Sequence, residues 1–399
     1  MAQAVPAKRA GALFAFALAG VTLVGPLAIH LFFPVVPAMR DAFGVSDATA
    51  QLSGSIVLFA MAVLTLVYGT LSDRYGRRPL LRSGLVLFLF GTALAGVADR
   101  IEVLLLGRLL QAAGAACGLA LARAMAQDVF PPERLVKVLA YLTMAYTLGP
   151  MISPPIGGFL LDHYGWRSVF VFAFAFGAVI VVLAFLSIFE TRRPTAERVR
   201  MIALLRGYGR LLGYGRFVGF VMQSGFSSGT FITWAMATAF VMKDTLQRPA
   251  AEYGLWFMLF PAGFFIGSLT ASRLGGRVRN EVMVLTGASL LVVAAGGLIV
   301  WALAGTLSPA TLFLPGFVVT FAQGLSLPNA QAGAMAIDRS LAGTAAGVGV
   351  AMQFLFAAVL SQTFGLFADG TPGPMLVIAA CGAAGSLAAA TLAYVKSPR

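Results

Sequence analysis

Long apolar stretches alternate with short polar ones along almost the whole chain. A helix that crosses a hydrocarbon core about 30 Å thick needs about 20 mostly apolar residues. Twelve stretches qualify: 11–33, 51–71, 80–98, 103–126, 135–160, 167–189, 216–242, 253–273, 282–303, 309–335, 341–367 and 372–395. They are too long, and too uniformly apolar, for transmembrane strands. The first follows Lys8 and Arg9, as a signal-peptide core would. Its 23 residues exceed such a core and no small-residue cleavage site follows, so a retained helix is expected. The pattern predicts an all-α integral membrane protein with twelve transmembrane helices.

Composition narrows the class further. Of 399 residues, 59% are apolar and 11% charged, and the mean hydropathy is +0.89. A soluble protein carries roughly a quarter charged residues, so a soluble enzyme, a transcription factor and an extracellular module are excluded. Cys117 and Cys381 lie in separate apolar runs and suggest neither a metal cluster nor a disulfide framework. The net charge of +13 would suit nucleic acid, but the basic residues cluster in short segments between apolar runs, as the positive-inside rule requires. With the N-terminus in the cytoplasm, 22 Lys and Arg fall on inside segments and 5 outside, with Arg108 inside the fourth run. Both termini are therefore expected in the cytoplasm, with the protein in the inner (plasma) membrane and no nucleic-acid partner.

The longest polar interruption, 191–215, divides the expected domains: a six-helix bundle over 1–190, a cytoplasmic linker, and a second bundle over 216–399. Leu204-Leu205-Arg206-Gly207-Tyr208 in the linker suggests a short amphipathic helix. A weak repeat relates the halves, since Gly69-Thr70-Leu71 and Gly267-Ser268-Leu269 each close a run before a basic loop. Two related six-helix halves suggest a two-bundle transporter with its substrate site near the midplane.

The loop Gly69-Thr70-Leu71-Ser72-Asp73-Arg74-Tyr75-Gly76-Arg77-Arg78-Pro79 resembles the G-x-L-x-D-R-x-G-R-K/R signature of the major facilitator superfamily. Gly69 would let its helix approach a neighbour, Gly76 would permit a tight turn, and Asp73 and Arg77 would make a charge-assisted contact with helix ends. Leu106-Gly107-Arg108-Leu109-Leu110-Gln111 resembles the superfamily's fourth-helix signature. Gly149-Pro150, Pro154-Pro155 and Gly157-Gly158 resemble the antiporter signature of its drug:proton antiporter branch. Phe33-Pro34-Val35-Val36-Pro37 resembles the L-P-x-x-P stretch of the bicyclomycin- and chloramphenicol-resistance exporters. The resemblance implies the major facilitator fold, two pseudo-symmetric six-helix bundles, and proton-driven drug export. One departure stands out: those exporters carry an acidic residue where this chain has His30.

All 15 carboxylates fall in loops or near helix ends. Mid-membrane charge is costly and therefore usually functional, so a carboxylate proton relay is weakened. His30, with a reference pKa of about 6.5, could serve instead, or could simply hydrogen-bond a neighbouring helix. Arg108 would share the coupling role by resemblance, and Asp128 would join Gly69, Asp73 and Arg77 as a conformational gate. The first, fourth, seventh and tenth helices line the cavity in this superfamily. They offer Thr22, Pro26, His30, Phe33, Arg108, Gln111, Thr230, Trp234, Gln323 and Asn329 as substrate-site candidates, each also explicable as packing. The Phe-rich run from Phe170 to Phe176 is expected to face lipid. Gly343 and Gly347 are expected at a close helix contact.

The expected function is secondary-active efflux of small lipophilic or neutral substrates by a monomer. It needs no cofactor or metal, and a proton is the coupling ion. A transporter of the same fold for one metabolite, such as a sugar, amino acid or siderophore, is the alternative. No Walker loop, metal-ligand cluster or Ser–His–Asp arrangement points to an enzyme.

Overall fold

The computed structural model describes residues 11–191, 201–305 and 307–397. Fifteen α-helices and no strand occur among the described residues. They are α1 (Ala12–His30), α2 (Val36–Phe43), α3 (Asp47–Tyr75), α4 (Arg77–Gly96), α5 (Ile101–Val129), α6 (Pro132–Tyr164), α7 (Trp166–Ser187) and α8 (Met201–Leu212). In the second half come α9 (Gly215–Phe240), α10 (Ala250–Phe257), α11 (Leu259–Leu274), α12 (Asn280–Leu303), α13 (Pro309–Ile337), α14 (Ala342–Phe367) and α15 (Gly373–Val395).

Each of the twelve expected runs is helical, and α8 occupies part of the linker; the rest of the linker, 192–200, lies outside the described residues. Two runs are broken, both by proline. After α1 the chain makes a 3₁₀ turn over Phe33–Val35 before α2, because neither Pro34 nor Pro37 can donate to the preceding turn. The eighth run breaks at Met258, between α10 and α11, where Pro261 has no N–H for the Phe257 carbonyl. Ten spans are long and apolar enough to cross a membrane. Helices α6 and α9 are as long, 33 and 26 residues, but more polar. Three internal prolines interrupt α6, and Gln, Ser and Thr punctuate α9.

The chain folds as two compact units. The first takes the described residues up to Val35 and those from Ile56 to Thr191. The second takes Val36–Ser55 and the described residues from Met201 onward. Residues 36–55, expected with the first bundle, thus group with the second unit. Polar bonds hold them there: Arg40 Nη1 donates to Asp244 at 2.7 Å and to Asp47 at 2.8 Å. Lys243 pairs with Asp41, Ser55 donates to Gln362 at 2.5 Å, and Gln362 to the Ala48 carbonyl at 3.0 Å.

Within each unit, small residues set the helix spacing. A Cβ on Gly107 of α5 would lie 2.6 Å from the Ala95 nitrogen of α4, so these two backbones are in direct contact. In the second unit a Cβ on Gly267 of α11 would strike the Phe321 carbonyl of α13. Its repeat partner Gly69 has nothing within 4 Å, and neither has Gly343. The close approach expected at those two positions is therefore absent, since the backbones come together elsewhere. Phe170, expected toward lipid, is 1% exposed and packs on Phe32 and Trp166 with ring centroids 4.5 and 5.9 Å away. Phe174, one turn on, is exposed as expected.

Candidate functional site

Four of the charged or titratable His, Arg and Glu side chains are buried among the described residues: His30, Arg77, Arg108 and Glu281. Arg77 and Glu281 lie at helix starts beside opposite charges. Arg108 lies where α5 meets α1 in the first unit, and His30 ends α1 two residues from the Ala28 carbonyl that Arg108 binds.

Arg108 is two turns into α5. The Gly107 contact brings α4 close, and a Cβ on Gly118 would lie 2.5 Å from the Val21 carbonyl of α1. The guanidinium donates to the Ala28 carbonyl at 2.9 Å and to Gln111 Oε1 at 2.5 Å, with its Cζ 4.1 Å from the Phe32 ring centroid. Gln111 in turn donates to Thr92 Oγ1 at 2.9 Å. This buried chain of donors satisfies a charge that would otherwise be very costly in an apolar interior. The Ala28 carbonyl is two residues from His30, whose Nδ1 lies 3.1 Å from the Pro26 carbonyl and whose ring centroid is 5.0 Å from that of Phe33. A carbonyl only accepts, so Nδ1 carries a proton and any change in the ring's charge occurs at Nε2. Thr22 is buried two turns back, donating to the Leu18 carbonyl at 2.8 Å.

The antiporter-like segment of α6 packs on this part of α1. A Cβ on Gly149 would strike Pro26, and one on Gly157 would strike the Leu31 carbonyl. Pro150, Pro154 and Pro155 lie inside α6 and remove three donors from its ladder. Pro154 and Gly158 are buried, and so is Ser153, whose hydroxyl has no partner among the described residues.

The signature loop forms a second cluster in the same unit. Gly76 takes φ +92°, the region that favours glycine, and α4 starts directly after it. Arg77 is bound by Asp73 at 3.2 Å, by Asp128 at 3.1 Å and by the Ser72 hydroxyl. Thr191 Oγ1 donates to Asp128 at 3.0 Å. The partner that sequence reading missed is Glu190. Its carboxylate accepts from the backbone N–H of Arg77 at 2.9 Å and of Arg78 at 3.2 Å, while the third residue of α4, Pro79, has no N–H to satisfy. A carboxylate thus meets the positive end of α4. Its one sequence signal is position, just past the last apolar run of the half.

In the second unit the candidates divide. Gln323 of α13 donates to Ser228 of α9 at 3.1 Å, half a turn from Thr230, which donates to the Phe226 carbonyl at 2.8 Å. Trp234 is 1% exposed and gives its Nε1–H to the Leu312 carbonyl at 3.1 Å. Asn329 donates to the Leu325 carbonyl of its own helix at 2.8 Å. An unforeseen residue, Gln223, reaches Ser326 at 3.2 Å and Ser386 at 3.4 Å, tying α9 to α13 and α15.

This arrangement has relatives. "Multidrug resistance protein D" of Escherichia coli (strain K12) is 26% identical over 342 residues, 85% of each chain. "Bicyclomycin resistance protein homolog" of Haemophilus influenzae is 23% identical over 373 residues, 91% of this chain and 92% of the other. Among solved structures, a D-xylose-proton symporter matches with TM-score 0.77 at 16% identity over 97% of this chain and 98% of the other. At that identity the match speaks for the fold alone. A model of the Major Facilitator Superfamily matches residues 12–361, and the chain belongs to that superfamily.

Proposed function

We propose that the protein is a secondary-active efflux transporter for small, mainly lipophilic or neutral compounds. It works as a monomer by alternating access, takes the proton as coupling ion and has no enzymatic activity. Both termini face the cytoplasm and the chain sits in the plasma (inner) membrane. Superfamily membership and the names of the two drug-resistance relatives support the transport reading. The observation that carries the coupling is the buried contact of α1 with α5. Every carboxylate in the described helices lies within three residues of a helix end. This leaves His30 as the buried basic group able to gain and lose a proton within the described spans, with the permanently charged Arg108 bound to the same helix. Water reaching His30 in one conformation and not the other changes proton occupancy at Nε2, and Arg108, bound to the Ala28 carbonyl two residues away on α1, transmits the change to α5.

Inverted vesicles loaded with an acidic lumen test this. A radiolabelled neutral lipophilic drug should accumulate while the pH gradient lasts, and His30→Gln should remove the dependence on the gradient while leaving drug binding intact. Equal accumulation after the gradient is collapsed would refute proton coupling.

A further inference from the structure

At the end of the second unit where α11 passes to α12, a cavity of about 450 Å³ opens to the surface. Arg216, Arg277, Arg279 and Glu281 line it, with Gly276 and Asn280 between them. Three guanidiniums therefore face one carboxylate, and that carboxylate is already engaged. The Glu281 side chain is 4% exposed, paired with Arg216 and 3.7 Å from Arg279. Arg277 is exposed and makes no ion pair among the described residues. The Arg216 Nε is buried without a hydrogen-bond partner. The cavity thus holds an excess of two positive charges and donors without acceptors.

The first unit shows what belongs in such a place. There the start of α4, after a glycine at φ +92°, is met by the Glu190 carboxylate. The start of α12 also follows closely on a left-handed glycine, Gly276 at φ +76°, yet its N-cap residue, Arg279, supplies no side-chain cap. Where Glu190 follows α7, the residues that follow α15 are Lys396 and Ser397. Ser397 accepts from Arg279 Nη2 at 2.8 Å, and the Lys396 stem lies 3.4 Å from a Cβ built on Gly215. The carboxylate at the start of α12, Glu281 in its first turn, is already taken by Arg216, and further positive charge surrounds it.

We infer that this cavity binds the phosphate group of an anionic membrane lipid. Phosphate oxygens match forked guanidinium donors and the positive end of a helix. A lipid is the source the position favours. The cavity lies at the ends of α9, α11, α12 and α15, where apolar spans give way to headgroup depth. Leu274, 37% exposed beside it, offers an apolar surface for an acyl chain. The inference does not depend on what the protein transports.

Native mass spectrometry of the detergent-purified protein tests it, with phosphatidylglycerol, phosphatidylcholine and inorganic phosphate as separate probes. Phosphatidylglycerol should be retained roughly tenfold more than phosphatidylcholine, because basic residues near the headgroup attract net negative charge. Arg277→Gln with Arg279→Gln should reduce it to the phosphatidylcholine level, and Arg277→Lys with Arg279→Lys should keep most of the preference. Ser397→Glu, which leaves all three arginines in place, should also lower retention by supplying an internal carboxylate. Equal retention of both lipids, or a preference unchanged in both the Gln and Glu variants, would overturn the proposal. Inorganic phosphate at millimolar concentration that binds and displaces phosphatidylglycerol would assign the cavity to free phosphate instead and overturn the lipid assignment.

Discussion

The turn joining α3 to α4 and the turn joining α11 to α12 each follow a Gly-x-Leu in the last turns of the preceding helix and contain a left-handed glycine, but their electrostatics differ. In the first, Asp73, Asp128 and Glu190 surround Arg77 and the start of α4. In the second, Ala271 stands where Asp73 would be, counting from the shared Gly-x-Leu. The acid that ends α13, Asp338, turns to Arg210 of α8 at 2.9 Å and to Ser340. Among the described residues no carboxylate from another element caps α12, and Glu281 in its first turn is taken by Arg216. The difference teaches that one helix-turn-helix scaffold can be neutralised from within or left positive, depending on one carboxylate in the motif and two distant in sequence. The neutralised loop suits the conformational gate expected there from the sequence; the open one suits the external anion inferred above.

The comparison can be broken most forcefully at Arg77. Arg77→Ala leaves Asp73 and Asp128 facing each other without a cation, at a cost on the order of 2–4 kcal/mol, the low end reflecting the part-exposed Asp73. Unfolding in detergent should show it. Next, Glu190→Gln should cost about 1 kcal/mol by removing the charge from the start of α4, whereas Ser397→Gln at the corresponding place should cost less than about 0.5 kcal/mol. Third, Gly76→Ala adds strain at φ +92° and a Cβ 2.8 Å from Glu190 Oε2. Gly276→Ala adds strain alone, since nothing lies within 4 Å there. The first should lose about 1 kcal/mol more than the second, and equal losses would mean that Glu190 is not held in place. The smallest effect concerns pH. The Ser340 hydroxyl, with its backbone N–H and Arg210, holds the Asp338 carboxyl below the usual carboxylate range. A depressed folded-state pKa stabilises at neutral pH and is lost as the pH falls through it. Unfolding curves of the wild type and Asp338→Asn should therefore differ slightly at pH 7, with the difference starting to shrink only as the pH falls below about 4, the unfolded carboxylate's range.

The spans were legible because apolar length is a local property. The breaks at Pro34 and Pro261 were written in the residues too, but a run counted by hydropathy hides them. Asp73, Arg77 and Gly76 could be placed by motif, and Asp128 by its position at a helix end. Glu190, Thr92 and Gln223 could not, since each has meaning only through a partner more than fifteen residues away. Glycines show the limit most clearly. Gly69 and Gly267 share a motif, yet one faces open space and the other the Phe321 carbonyl, because crossing points depend on how whole helices pack.

If the protein exports its substrate as proposed, the Asp73–Arg77–Asp128 cluster, expected from the sequence to be a conformational gate, has to give way and re-form as the helices shift. Turnover of a neutral lipophilic drug in proteoliposomes under an imposed pH gradient tests it directly, comparing wild type with Asp73→Asn at matched reconstitution. The variant keeps Arg77 paired with Asp128 and should remain folded, but its turnover should fall roughly tenfold, the kinetic equivalent of about 1.4 kcal/mol. Wild-type turnover in a well-folded Asp73→Asn protein would contradict the claim.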